Sequence, residues 1–457
     1  MRLIFSFDTE EYETPGVDDT VKIWADMLTT HGFRGCFCTV GEKARVLRDR
    51  GRQDIIHALA PHEIDYHSDW HSKHPVHAEY LDEMNWDAGV ERVLAEESGG
   101  LRDVETIMGS RPVAYCKPGA SWGPQVSHAM ARMGVPVFCD APFEHALGQP
   151  LWYGGQLLIG YHIGFDDYFK SDDRLNDMKR DFRALADRAG DGTIVMWTHP
   201  VRLFTSEWAD NFRYGSNTPP EQWVPAPMRP KTEIDELIRD FTDFVGWIAS
   251  EGVDVTDYAQ LHATYRKELR WATLEDVALL AKGIVNTFTH HTVRENAFSP
   301  AEIFGLVIFA LEYYQRSGGL PQSLPVRNPI GPVGVHAYEG TASGIPARSI
   351  IDLASDISRS VTDDNRIPAG IVINHRSFSP GAYLKAAAEL LLSLRQTQSL
   401  PETVTLSGDR IWPELANRED IAGMRWGWSM LDPGFEGKRV IEATRLQTWT
   451  AKPALKP

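Results

Sequence analysis

Four cysteines are all that the 457 residues contain. They form no CxxC pair and no regular framework, which excludes a disulfide-stapled scaffold and a thiolate zinc knuckle. Cys36 and Cys38 alternate within GCFCTV and share one strand face, while Cys116 and Cys139 fall near other strand ends, so all four read as small buried thiols. Long apolar runs are also missing. No segment approaches twenty uninterrupted apolar residues, and a membrane-spanning helix is excluded. Positive charge is scarce as well: 46 Lys and Arg face 63 Asp and Glu, a formal charge of −17. Nucleic acid and anionic membrane are therefore not expected as partners, because both are polyanions. A neutral or cationic substrate fits better. The opening MRLIFSFD has no basic, apolar and small-residue succession of an export signal, so a cytoplasmic location is expected. Nothing in the sequence bears on oligomeric state.

What is present is an ordinary globular composition, 42% apolar and 24% charged, in a chain long enough for two or three domains. Up to about residue 265, short β-branched runs (RLIFSF, RGCFCTV, HEIDY, VAYC, VPVFC, LLIGYHI, TIVMWT, VDVT) alternate with amphipathic stretches such as DTVKIWADMLTTHG and RLNDMKRDFRALADRAG. Repeated βα units of this number predict an α/β fold, a (β/α) barrel rather than an open sheet, over residues 1–265. From about residue 270 the texture becomes helical with Pro, Ser and Gly punctuation. There FSPAEIFGLVIFALEYYQRSGGLPQSLPV, from Phe298, recurs in outline as FSPGAYLKAAAELLLSLRQTQSLPETVTL, from Phe378. Serine then proline places an N-cap before N1 in both. The expectation is a second, mostly helical α+β module over 270–457 with an internal duplication, of a binding or packing kind.

The stretch EIDYHSDWHSKHPVH, residues 63–77, carries His67, His71, His74 and His77. His67 and His71 are four apart, so one helical turn would aim both imidazoles at a single divalent ion. Other strand ends supply polar groups too: Asp8 and Glu10 after RLIFSF, Lys117 and Gly119 after VAYC, Asp140 after VPVFC, His199 after TIVMWT. In a (β/α) barrel all these ends open onto the face where active sites are built. Two imidazoles and a carboxylate leave a divalent ion with an open position, the arrangement of metal-assisted hydrolysis. Of Asp8 and Glu10, one could bind metal while the other serves as base, with Glu11 and Asp69 as nearby alternatives for the ligand. His199 could protonate a leaving group, and Asp140 could orient a catalytic side chain. His74 and His77 read as exposed loop residues. Trp70, Trp122, Trp152, Trp197 and Trp208 fall near the strand ends, and TSEWADNFRYGSNTPPEQWVPAPMRP, after His199, has the length of a binding loop.

FDTEEY, HSDWH, the Pro-Gly of AYCKPGASWGP, Asp140 and the histidine of TIVMWTHP, in that order, resemble the NodB-homology polysaccharide deacetylases, carbohydrate esterase family 4, over roughly residues 1–260. The resemblance implies a distorted barrel of NodB type and a metal-dependent N-deacetylase with a carbohydrate substrate. It assigns Asp8 as base, Glu10, His67 and His71 as ligands of a divalent ion (zinc first, with cobalt, manganese, iron or nickel as alternatives), and His199 as acid. Gly119 would offer a backbone N–H to the oxyanion, and Trp70 and Trp122 would stack on sugar, with core or rim packing as the alternative for each. Two departures place the chain in a divergent branch, where allantoinase-like and cyclic-imide hydrolases also occur. Cys116 and Lys117 stand at the candidate positions of the family's buttressing arginine, and Lys117 would keep the charge without the bidentate fork. The acids are not adjacent, since Thr9 separates them. The non-sugar amidohydrolases therefore form a second reading, and a catalytically weakened glycan-binding protein a third. The duplicated module loosely resembles pseudomurein-binding repeats, which would imply contact with a glycan.

Overall fold

The computed structural model describes residues 1–457 except 209–210, 212–221, 223, 266–270, 335–336, 339, 429 and 457. The chain forms two compact units. One comprises Met1–Pro150, Gln156–Thr264 and Arg425–Gly437; the other comprises Leu151–Gly155, Tyr265–Met424 and Lys438–Pro457. A single cut at 265–270 would assign the short segments 151–155 and 425–437 the other way round. Neither carries a sequence signal of its membership: strand β6 (Leu151–Tyr153) belongs with the second unit through its antiparallel pairing to β19 (Lys452–Pro453).

The first unit is α/β. Its strands are β1 (Arg2–Thr9), β2 (Cys36–Thr39), β3 (Glu63–Tyr66), β4 (Ala114–Cys116), β5 (Val137–Cys139), β7 (Gln156–Leu158), β8 (Ile163–Gly164), β9 (Thr193–Thr198) and β10 (Asp254–Val255). Their order is β7-β5-β4-β3-β2-β1-β9-β8, with β10 also on β1, and every pairing in it is parallel. The two outermost strands, β7 and β8, are successive in the chain. Five Cα steps from Leu158 to Ile163 reach at most about 18 Å, whereas eight flat strands at ~4.8 Å spacing would hold those edges roughly 34 Å apart. The sheet is therefore curled into a distorted, incompletely closed barrel, as expected.

Helices α1 (Asp19–Thr30), α5 (Trp86–Met108), α7 (Arg174–Ala189) and α8 (Lys231–Ser250) realise the amphipathic stretches of the sequence, and Gly109 ends α5 in the left-handed conformation, φ 73°. The period of two in β1 divides its residues between two environments. Phe5 and Phe7 join Trp24, Phe37, Phe165 and Phe241 in an aromatic core, with Phe7 stacked on Phe37 at 4.6 Å and Trp24 5.2 Å from Phe241. Ser6 and Asp8 point instead into the barrel, toward Cys38, Cys116 and Tyr161. All four cysteines are buried and free, as their strand positions led us to expect. Among the described residues no helix is long and apolar enough to cross a membrane.

In the second unit, α10 (Leu274–Asn286), hairpin β12–β13 (His291–Val293, Asn296–Phe298), α11 (Pro300–Ser317) and β14 (Ser323–Pro325) are followed, at one constant offset, by α13 (Ala354–Thr362), hairpin β16–β17 (Ile371–Ile373, Arg376–Phe378), α14 (Pro380–Thr397) and β18 (Thr403–Leu406). Ser299 and Ser379 both cap their helices, accepting from the Glu302 and Ala382 amides. Packing is reciprocal: α10 lies on α14 and α11 on α13, while β14 pairs with β11 (Trp271–Thr273) and β18 with β15 (Ala342–Pro346). One continuous apolar core, including Phe304, Tyr383, Leu384 and Trp449, serves both copies.

Candidate active site

The C-terminal strand ends of the first unit converge on a pocket of about 480 Å³, within the range of small-molecule sites. It is lined by Asp8, Glu10, His67, His71, Lys117, Gly119, Asp140 and His199, together with Tyr161, Trp197, Trp208, Asn211, Gly427 and Trp428. All the expected polar positions are therefore brought together.

Glu10, just past β1, is the hub. Its Oε2 lies 2.8 Å from His71 Nε2 and 3.4 Å from His67 Nε2, and the three ligand atoms lie within 4.8 Å of one another. His67 Nδ1 is 3.1 Å from the Cys116 carbonyl, which can only accept, so Nδ1 carries a proton and Nε2 is the nitrogen that faces Glu10. His71 Nδ1 lies 2.5 Å from Ser72 Oγ, which holds the ring with Nε2 toward Glu10. Two imidazole nitrogens fixed by their outer partners, with one carboxylate oxygen, fit a divalent transition metal. Burial works to raise the Glu10 carboxyl, but the charges of His71 and His199 and the hydrogen bonds of His67 and His71 hold it well below the usual range.

The expected helical turn at His67–His71 is not formed. After β3 the backbone turns through left-handed Ser68 (φ 63°) and His71 (φ 54°), and the His71 amide donates to Ser68 Oγ at 3.0 Å. Two non-glycine residues in that region mark a constrained loop, and the constraint aims the imidazoles. His74 and His77 are not exposed as expected. His74 is half-buried against Glu79, and His77 is buried with Nε2 2.8 Å from Glu97. The alternatives to Glu10 are otherwise engaged: Glu11 accepts from the Glu13 and Thr14 amides, and Asp69 pairs with Arg45 at 2.8 Å.

Asp8 is buried beside this cluster. Tyr161 Oη donates to its Oδ1 at 2.6 Å, and Cys116 Sγ stands 3.5 Å from the same oxygen. Its Oδ2 is left toward His199, 3.7 Å from Nε2. His199 in turn places Nδ1 2.7 Å from Asp166 Oδ2, and Thr198 Oγ1 donates to Asp166 Oδ1 at 2.5 Å. Burial would lower the His199 pKa, but Glu10, Asp166 and Asp8 outweigh it and raise it to about 9. Lys117 and Asp140 form an ion pair at the pocket wall, with Asp140 in the left-handed conformation at φ 52°. Burial pushes the Asp140 carboxyl up to about 6, against the pull of Lys117. Gly119, φ 52°, lines the pocket with its backbone.

Two expected aromatic positions fall elsewhere. Trp122 is 1% exposed and packs on Phe138 and Phe143 in the core, with no face to offer a ligand. Trp70 is 39% exposed but lies outside this pocket, in an adjoining groove between Arg45 and Lys73. Trp208 and Trp197 do border the pocket. Half of the long loop after His199, residues 209–210, 212–221 and 223, lies outside the described residues. Tyr161, Asp166 and Trp428 were not anticipated. For Asp166 a signal existed: IGFDDY puts carboxylates directly past a strand end.

No protein-family model matches this sequence, and no curated protein matches it. Solved structures with similar regions include a Mycobacterium smegmatis protein assigned as a polysaccharide deacetylase, at 15% identity and a TM-score of 0.39, over 57% of this chain and 88% of that one. A family 4 carbohydrate esterase from Streptomyces lividans is 12% identical with a TM-score of 0.31, over 56% and 92%. A 4-alpha-glucanotransferase from Thermococcus litoralis is 12% identical with a TM-score of 0.40, over 57% of this chain and 40% of that one. These neighbours carry different activities, so the function of this chain has to be read from its own site.

Proposed function

We propose that this protein is a metal-dependent N-deacetylase that removes acetyl from an N-acetylated sugar. The observation that carries the reading is the Glu10–His67–His71 cluster set directly against Asp8 and His199. A divalent ion held by those three residues, zinc by donor chemistry, would polarise the amide carbonyl and make water a better nucleophile.

The chain's own groups supply the rest. Tyr161 occupies Asp8 Oδ1, so Oδ2 is the oxygen that accepts the proton of the attacking water. His199 Nε2 carries a proton for the departing amine, and Asp166 fixes the ring by holding Nδ1. Lys117 bears the positive charge at the place of the family arginine, and its pairing with Asp140 fixes both at the wall. The backbone N–H near Gly119 is assigned to the oxyanion.

The reading is tested by incubating the zinc-loaded protein with N-acetylhexosamine oligomers and nucleotide sugars, beside allantoin and succinimide. Acetate release is expected. Ring opening without acetate would transfer the same site to a non-sugar amide.

A further inference from the structure

The pocket has a wall that no strand end supplies. The segment Arg425–Gly437, far beyond His199 in sequence, is part of the first unit and holds two tryptophans separated by one glycine. They do different things. Trp426 closes the segment on itself: its Nε1 donates to the Glu436 carbonyl at 2.9 Å, and its ring meets Phe435 at 5.1 Å and 71°. Gly437, φ 57°, lies directly beneath that ring, where a Cβ would be driven into the indole. Trp428 faces the other way, into the site. It meets the His71 ring at 5.8 Å and 84°, and a Cβ on Gly119 would be driven into its ring as well.

Trp197, Trp208 and Trp428 all line the pocket and are each partly exposed, and they differ in what they pack against. Trp197 is stacked on Tyr161 at 5.2 Å and 16°, and Trp208 is packed edge-on to His199 at 4.1 Å and 88°. Trp428 keeps part of its indole exposed inside the pocket, within contact of a metal-ligand candidate and of the Gly119 backbone. A flat apolar face beside the reacting centre suits a substrate whose amide is borne on a ring with an apolar face. A small ureide or imide would call for polar donors instead.

We propose that Trp428 is a substrate-positioning residue, its indole receiving the apolar face of the sugar ring that carries the scissile acetamide. Substrate choice then depends on the 425–437 segment, clasped by Trp426 over Gly437, and not on the strand-end loops alone. This rests on the deacetylase reading for the identity of the ring.

The test is calorimetric titration of the full-length, zinc-loaded protein with an N-acetylglucosamine tetramer, for wild type, Trp428→Ala and Trp428→Phe, with acetate release measured in parallel. Trp428→Ala should weaken binding roughly tenfold or more, and Trp428→Phe by no more than about threefold. KM should rise with Kd in Trp428→Ala while kcat stays within about threefold, at unchanged zinc content. Equal affinity in wild type and Trp428→Ala, no binding by wild type, or equal losses in both variants would overturn the proposal. Trp428-dependent binding without acetate release by wild type would instead sink the deacetylase reading and leave the positioning role standing.

Discussion

Tyr161 Oη donates to Asp8 Oδ1 at 2.6 Å, across the inside of the barrel from the linker between β7 and β8 to the end of β1. The bond occupies one carboxylate oxygen and leaves the other toward His199, so it orients the proposed base. Tyr161→Phe removes that donor without adding volume. We expect kcat to fall about tenfold or more, the loss of one hydrogen bond to a charged group, at unchanged metal content. Equal kcat in the variant would show that Asp8 needs no such partner.

The second prediction concerns pH. A general acid works only while protonated, so activity should fall as pH rises through the His199 pKa, raised to about 9 by three carboxylates. Asp166→Asn removes one of them and should bring the alkaline limb of the kcat profile to lower pH. Thr198→Val, which removes the hydroxyl on Asp166, should leave His199 protonated near neutrality and shift the limb less. A limb that stays in place in Asp166→Asn would remove His199 from the acid role.

Metal retention gives the third. His67→Ala combined with His71→Ala removes both nitrogen ligands from the Glu10 cluster, and the purified variant should hold no zinc where wild type holds about one equivalent by elemental analysis. Full occupancy in the double variant would put the ion elsewhere.

The Lys117–Asp140 pair supplies the fourth. Lys117→Met leaves Asp140 without the cation that opposes the effect of burial, so its carboxyl, already pushed up to about 6, should rise further and be neutral at pH 7. We expect a kcat loss in Lys117→Met that Lys117→Arg largely restores, and a non-additive double variant with Asp140→Asn. Additive losses would mean the two residues act independently.

The sequence made the strand ends legible because each lies at the end of a short β-branched run, and the barrel brings such ends to one face. Asp8, Glu10, His67, His71, Lys117, Gly119, Asp140 and His199 all reach the pocket for that reason. The turn carrying His71 was misjudged, because HSDWH has the spacing of a helix while Ser68 and His71 adopt left-handed backbone that spacing does not reveal. Tyr161 was hidden inside LLIGYHI, which reads as one strand but is parts of two, β7 and β8, at opposite ends of the first unit's strand order. Trp122 was misplaced and Trp428 missed: nearness to a strand end does not say which side of the sheet an indole takes, and no local pattern announces that residues 425–437 fold with the first unit. The matching order of elements was legible in the ungapped register of Phe298-Ser299-Pro300 with Phe378-Ser379-Pro380, whereas the reciprocal packing of the helices has no sequence signature.

The central claim is that metal-assisted hydrolysis at this site uses Asp8 as its base, and Asp8→Asn tests it most directly. Acetate release from an N-acetylglucosamine oligomer should fall by about two to four orders of magnitude, while elemental analysis finds the same zinc content as in wild type. Undiminished acetate release with zinc in place would contradict the account.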